Sequence, residues 1–423
     1  MSPNKKTSWQ RFIGLLELDR KDIRQIIFYA VFAGIVALSL PLGIQAIINL
    51  IQGAQISTSW IVLVVLVTLG VAFQGTLQIM QIRILENVQQ KIFMRSSFEF
   101  AYRFPKIKMS ELRDFYPPEL ANRFFDTLTV QKGLSKILLD FPAAILQILF
   151  GLILLSMYHP FFIIYGVLLV LLIYLVFKFT AKKGLETSLA ESKAKYRVAH
   201  WIQEVARSLV SFKLSGKTSL AMERNDTLTK EYLSYRESHF RVLLLQYSQM
   251  IGFKVLVTAG LLLIGGLLVI NQQMNIGQFV ASEIIILLVI GSVEKLITGL
   301  ETFYDVLTSL EKIGQVVDKE LEPQEGIDPM ENTHKLSIEL QDVGFANPQG
   351  KTILQNINLN INEGKRILIE GATGSGKTTL LKVISGLISP TSGSFYVNDN
   401  AIDGIKPNAY SCLLYTSPSP RDS

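Results

Sequence analysis

The chain has 423 residues, 49% of them hydrophobic and only 18% charged, with a mean hydropathy of +0.33 and a net charge of +6. An average soluble domain is about 25% charged. The deficit points to a membrane protein and excludes a disordered chain or a nucleic-acid coat, and basic flanks of membrane spans account for the positive balance. The length suits about two to three domains. A single cysteine, Cys412, excludes an intrachain disulfide and a cysteine-rich zinc site. His159, His200, His239 and His334 show no metal-ligand spacing and read as loop or helix-surface residues.

In chain order, the first signal is a gap. No Asp, Glu, Lys or Arg occurs from Gln25 to Ile82, and further gaps run from Phe141 to Phe177 and from Val255 to Ser282. A charge at the centre of a membrane helix costs about 2.5–3.5 kcal/mol on the insertion scale, so such gaps are a membrane signature. About 20 apolar residues span the hydrocarbon. Six spans are therefore predicted: Ile26–Ile48, Trp60–Met80, Leu138–Met157, Phe161–Phe179, Ile251–Ile270 and Gly277–Leu300. Pro41 is expected to kink the first.

Lys and Arg number six in Met1–Arg24, ten in Arg83–Asp140 and fourteen in Lys178–Lys254, whereas the turns at Gln52–Ser59, Tyr158–Pro160 and Asn271–Asn275 hold none. The positive-inside rule places both termini and the two long connections in the cytoplasm. Those connections are charged and helix-forming, and their expected contacts with a cytoplasmic domain are Phe115–Phe124 and Arg207–Gly216, where the helical pattern is interrupted. Glu283 lies in the outer half of the sixth span. An intramembrane carboxylate is a functional candidate, with an interfacial or vestibule-facing glutamate as the other reading. Glu294 and Lys295 lie deeper and are candidates for pairing with other helices.

Val316–Lys335 is acidic, contains two prolines and a glycine, and reads as an exposed linker. The pattern then changes. Leu336–Phe345 and Thr352–Ile361 alternate as strands do, Arg366–Glu370 reads as a short buried strand, and Leu380–Leu387 reads as a helix. Between the last two lies GATGSGKTT, Gly371–Thr379, which is G-x-x-x-x-G-K-T in a strand–loop–helix context. Glycines let such a loop wrap phosphate with its N–H groups aimed inward, and the following helix N-terminus adds positive partial charge. Lys377 supplies a full charge to the β/γ-phosphates, and Thr378 offers a hydroxyl to Mg²⁺. The motif specifies nucleoside triphosphate binding and, alone, not hydrolysis.

Six spans with two long cytoplasmic loops followed by a P-loop resemble an ABC exporter half-transporter. The resemblance runs from about Arg11 to Ser411 and is carried most specifically by IELQDVGF, ILQNINLNINEGKRILIEGATGSGKTTLLKVISGL and PTSGSFYVND. It implies an α-helical membrane domain of six transmembrane helices with long cytoplasmic extensions, followed by a partial α/β P-loop NTPase domain. The implied boundaries are 1–24 for a cytoplasmic N-terminus whose Trp9–Asp22 resembles an elbow helix, 25–309 for the membrane domain, 310–335 for the linker and 336–411 for the nucleotide-binding part. The resemblance implies ATP on Gly371, Ala372, Thr373, Gly374, Ser375, Gly376, Lys377, Thr378 and Thr379, with Mg²⁺ on Thr378. It places Phe115–Phe124 and Arg207–Gly216 near two coupling helices. The family's adenine-stacking aromatic falls at Asn347, so part of the base affinity is expected to be missing; Phe345 is the candidate substitute. The N-terminal peptidase domain of some peptide exporters is not expected.

No Q-loop, LSGGQ-type signature, Asp-Glu strand end or switch histidine follows Ser411, so no catalytic residue is expected in this chain and hydrolysis by it alone should be negligible. Cys412–Asp422 (CLLYTSPSPRD) matches no family feature and resembles a translated sequencing adapter; 412–423 is expected to be an artefact. The leading functional expectation is ATP-driven export as one half of a homo- or heterodimer in a bacterial inner membrane. Its substrate would be a lipid, an amphiphilic drug or a peptide, and no nucleic acid is involved. The alternative is a membrane-anchored ATP-binding remnant or regulator without turnover; a passive channel leaves the P-loop unexplained.

Overall fold

A computed structural model describes residues 6–52, 58–112, 115–331, 335–347 and 349–414. His334, much of the turn at Gln52–Ser59 and most of the adapter-like tail lie outside them. The chain divides into two compact units, 1–98 with 122–316 and 99–121 with 317–423.

The first unit is helical. Helix α1 (Ser8–Leu18) opens with a capping box, in which Thr7 Oγ1 accepts from the Gln10 N–H at 3.2 Å and Gln10 Oε1 accepts from the Thr7 N–H at 2.9 Å. Helices α2 (Arg20–Ala37) and α3 (Ser39–Gln52) together hold the first predicted span. Pro41 has no N–H to give the Ala37 carbonyl, and the helix breaks at Leu38, one turn before the proline. Helix α4 (Thr58–Arg103) follows and runs into the second unit, to which α5 (Pro117–Ala121) belongs. Then come α6 (Asp126–Tyr158), α7 (Phe161–Arg207), the short α8 (Leu209–Leu214) and α9 (Leu220–Gly260). A π-helical turn at Leu261–Gly265 leads into α10 (Gly266–Ile270), and α11 (Ile276–Val317) completes the unit.

Among the described residues, six helices are long and apolar enough to cross a membrane, and they contain the six predicted spans. At 47 residues, α7 is about 70 Å long, more than twice the ~30 Å hydrocarbon thickness, so the long helices project beyond it. Large apolar side chains such as Leu66, Val167 and Leu263 are exposed, the surface that lipid covers.

Ala144, Leu155, Leu169, Val257, Ile285 and Val289 centre one core cluster; Phe12, Ile26, Val88, Leu134, Val306 and Leu310 centre another. Helix α1 packs on α11, with the Phe12 and Phe303 ring centroids 5.4 Å apart and Ser8 Oγ donating to Glu311 Oε2 at 3.0 Å. A buried polar network ties α7, α9 and α11. Gln246 Nε2 donates to Thr180 Oγ1 at 2.7 Å and to the Tyr304 hydroxyl at 3.1 Å. His239, expected on a surface, is buried in this region, with Nδ1 2.9 Å from Thr187 Oγ1. The hydroxyl satisfies a ring nitrogen that burial would otherwise strip of water.

The second unit is built on a four-stranded antiparallel sheet of order β2-β1-β3-β4. Its strands are β1 (Ile338–Ala346), β2 (Thr352–Ile361), β3 (Ser392–Val397) and β4 (Asn400–Ala401). The register pairs Ile338 with both Ile361 and Val397, and Leu340 with both Leu359 and Phe395. Helix α12 (Lys377–Ile384) lays Val383 on this sheet, and α13 (Pro407–Ser411) adds Tyr410. Burial pushes the Tyr410 hydroxyl up to about 12, so it remains a donor to the Ile384 carbonyl throughout the neutral range. Leu413 and Leu414, the described start of the tail, pack at the edge of the same cluster.

Two expectations are corrected here. Arg366–Glu370 is not a strand: it pairs with none of the four strands, and Ile367 and Leu368 are exposed. A buried-strand pattern becomes a strand only with ladder neighbours on its edges. The linker is not simply exposed either. Its Leu321 forms an antiparallel bridge with Ile107, the Lys108 N–H donates to the Glu320 carbonyl at 3.0 Å, and the Glu322 N–H donates to the Lys106 carbonyl at 2.7 Å. Lys319 Nζ donates to the Glu111 carbonyl at 2.6 Å and lies 4.0 Å over the Phe115 ring. The connection between α4 and α6 therefore belongs to the second unit, held mainly by residues upstream of the expected Phe115–Phe124. In the other expected segment, α8 leaves Leu209, Val210 and Leu214 exposed.

Candidate nucleotide-binding site

The site is a loop between Arg366–Glu370 and α12. Its conformation requires glycine at two points. Gly374 has φ +84° and Gly376 has φ +92°, in the left-handed region that costs other L-residues about 1–2 kcal/mol. At Gly376 the space is also tight, because a Cβ would lie 3.0 Å from Leu354 Cδ2 and 3.1 Å from the Ile353 carbonyl oxygen. The wall behind the loop is thus β2, whose Ile353 and Leu354 were not singled out in the sequence. Their signal was present, since a strand that alternates immediately upstream of a P-loop is a natural support for it.

Gly376 is the N-cap of α12, and the Leu380 N–H closes the first helical turn on its carbonyl at 2.8 Å. Lys377, the first residue of the helix, folds back over the loop. Its Nζ donates to the Gly371 carbonyl at 2.6 Å and the Ala372 carbonyl at 2.9 Å. The Ser375 N–H donates to the Ala372 carbonyl at 3.2 Å. Residues Gly371, Ala372, Thr373, Gly374 and Ser375 are exposed, as is Thr378, while Gly376, Lys377 and Thr379 are half-buried. The nine predicted residues therefore run from the loop into the first turn of α12, with a single cation over the loop at the positive end of a helix dipole. The donor set suits an anion with several oxygens.

The other singled-out residues lie elsewhere. Phe345 is buried in the sheet core at 6% exposure, which withdraws it as a base-stacking substitute. Asn347 closes the β1–β2 turn, its Oδ1 accepting from the Lys351 N–H at 2.8 Å. Glu283 is half-buried, with no hydrogen bond or ion pair among the described residues. Glu294 and Lys295 do not form the expected pairs with other helices; both lie on the less buried face of α11.

Comparison with known proteins agrees with this architecture. The family described as ABC transporter transmembrane region matches residues 23–293, and the family described as ABC transporter matches residues 354–414. The chain is similar to the leukotoxin translocation ATP-binding protein LktB of Mannheimia haemolytica and to that of Bibersteinia trehalosi. Each is 31% identical over 217 residues, covering 48% of this chain and 29% of the relative. The matched segment thus spans under a third of those relatives' length. Its fold is similar to that of a bacterial Atm1-family ABC exporter solved with ATP bound, with a TM-score of 0.74 and 14% identity over 93% of this chain and 70% of the other. A membrane-domain match over more than half of the sequence, joined to a P-loop unit of the matching kind, shows that the chain is a multi-pass membrane protein that belongs to the ABC transporter family.

Proposed function

We propose that this chain supplies the membrane domain and the phosphate-binding loop of one half of a dimeric ABC exporter in a bacterial inner membrane, with both termini cytoplasmic. The observation that carries the reading is the P-loop geometry on a chain with six spans. Gly374 and Gly376 shape the turn, and Lys377 sits at its centre with carbonyl partners that a phosphate group can replace. The backbone N–H groups of Gly371–Thr379 would bind the phosphates, Lys377 would neutralise their charge and Thr378 would offer its hydroxyl to Mg²⁺. When bound, the nucleotide would supply the free energy of its hydrolysis and the metal would offset phosphate charge. What these residues contribute is binding and orientation.

The long helices carry changes at the nucleotide unit toward the membrane, and the Ile107–Leu321 bridge ties the first cytoplasmic loop to the linker. Nucleotide binding drives the membrane domain only through a difference in affinity between its two states. A dimer follows because one chain carries six spans and one P-loop. The non-hydrolysing alternative leans on the catalytic motifs not found in this sequence; the export reading explains the six spans, which a sensor does not need. The test is ATP-dependent accumulation of an amphiphilic substrate in inside-out vesicles carrying the intact gene product. Lys377→Ala should abolish it while leaving membrane insertion unchanged. Transport that survives the substitution overturns the assignment.

A further inference from the structure

Inside the membrane unit, a cavity of about 60 Å³ opens between α2, α4, α6 and α11. Gln74, Gln78 and Gln81 of α4 line it together with Gln147 of α6 and Lys295 of α11, against the small residues of α2 around Ala33. The three α4 glutamines are spaced i, i+4, i+7, so one helix face carries them. They lie in a stretch without any charged residue. The three α4 glutamines and Lys295 fall toward the cytoplasmic ends of the predicted spans, and Gln147 lies at the middle of its own.

One buried donor in the chamber has no partner among the described residues. Gln81 is 2% exposed, and its Nε2 has no hydrogen-bond partner among the described residues. Gln147 Oε1 already accepts from Ser292 Oγ at 2.8 Å, and its amide N–H groups have no partner among the described residues. Lys295 adds a positive charge, and no carboxylate lines the chamber or pairs with Lys295 among the described residues. A lone lysine in a membrane helix and an unsatisfied buried amide are both costly, and an anion would satisfy both. The volume admits a small head group with a water or two, not a whole amphiphile. One cation balances one charge. A phosphate monoester, with about −1.5 to −2, would leave charge uncompensated in a low-dielectric site.

We propose that this chamber receives the carboxylate of an amphiphilic substrate, whose apolar body stays in the bilayer. The proposal rests on the export reading and names its substrate class. Its test is photo-crosslinking of the full chain in neutral phosphatidylcholine nanodiscs with a diazirine-bearing palmitate, the methyl ester of that probe and a lysophosphatidate analogue. The labelled peptides are mapped by mass spectrometry. Palmitate should label the α2, α4 and α11 segments that line the chamber about tenfold more than the ester does, the scale of one charge-assisted hydrogen bond. Lys295→Gln should bring the acid down to the ester level, Lys295→Arg should retain it, and Gln81→Leu should weaken it several-fold. Lys377→Ala should leave labelling unchanged, so failure of the nucleotide reading is seen separately in ATP binding. Equal labelling by acid and ester, labelling that survives Lys295→Gln, or a preference for the phosphate head overturns the proposal.

Discussion

Gly184 of α7 lies where a side chain cannot fit. A Cβ there would come within 2.4 Å of Tyr304 Cζ and 2.7 Å of its hydroxyl oxygen. Tyr304 is 1% exposed on α11, and its hydroxyl accepts from Gln246 of α9. Alanine at position 184 would gain about 1 kcal/mol of helix propensity. Against that, a methyl group forced into a packed core costs about 1–3 kcal/mol. Displacing Tyr304 also loses one buried hydrogen bond, about 0.5–1.5 kcal/mol. Gln246 keeps its bond to Thr180 Oγ1, so the loss is not of the whole network. Gly184→Ala should therefore destabilise the membrane unit by roughly 0.5–3.5 kcal/mol, the span left when these terms are combined. Adding Tyr304→Leu should recover part of that loss, because the two positions share one space. Thermal unfolding of the full chain in nanodiscs reads both. A Gly184→Ala protein as stable as the parent would refute the close helix packing, and additive effects of the two substitutions would refute the shared contact.

Two further substitutions probe the ends of the chain. Gly376→Ala should cost about 1–2 kcal/mol in the loop from its φ of +92° and lower ATP affinity by roughly tenfold while leaving the spectrum of the membrane unit unchanged; full-affinity binding would contradict the loop geometry. Asp19, buried between α1 and α2, accepts from both guanidinium Nη atoms of Arg95 at 2.8 and 2.6 Å. Asp19→Ala should lower stability by about 1–3 kcal/mol and make the α1–α2 junction cleavable by protease; an unchanged digestion pattern would show that this pair does not anchor the junction.

What was legible in the sequence was local or repeated. The charge gaps located all six spans, because a membrane excludes charge along a whole helix. The glycine-rich loop and the helix after it were legible because consecutive residues form them, although the strand expected before the loop is not there. What was not legible depends on distant neighbours. Arg366–Glu370 carries a strand pattern, but pattern alone provides no ladder partner. The Ile107–Leu321 bridge uses backbone groups, which no side-chain pattern announces. His239 looks like a surface residue until Thr187, 52 positions away, meets it. The glutamine face of α4 was overlooked because a search for charge passes over amides. Pro41 was read correctly as a disruption, but the break falls a turn earlier, at the carbonyl its missing N–H leaves unpaired.

The central claim is that Gly371–Thr379 forms a phosphate-binding loop in which Lys377 supplies the decisive charge. The most direct measurement is equilibrium binding of Mg-ATP to the full chain in nanodiscs, for the parent and for Lys377→Ala. Saturable binding that weakens by at least about tenfold in Lys377→Ala, the loss of one charge-assisted contact, is the predicted result. Binding that is absent in the parent, or equal in the two proteins, would contradict it.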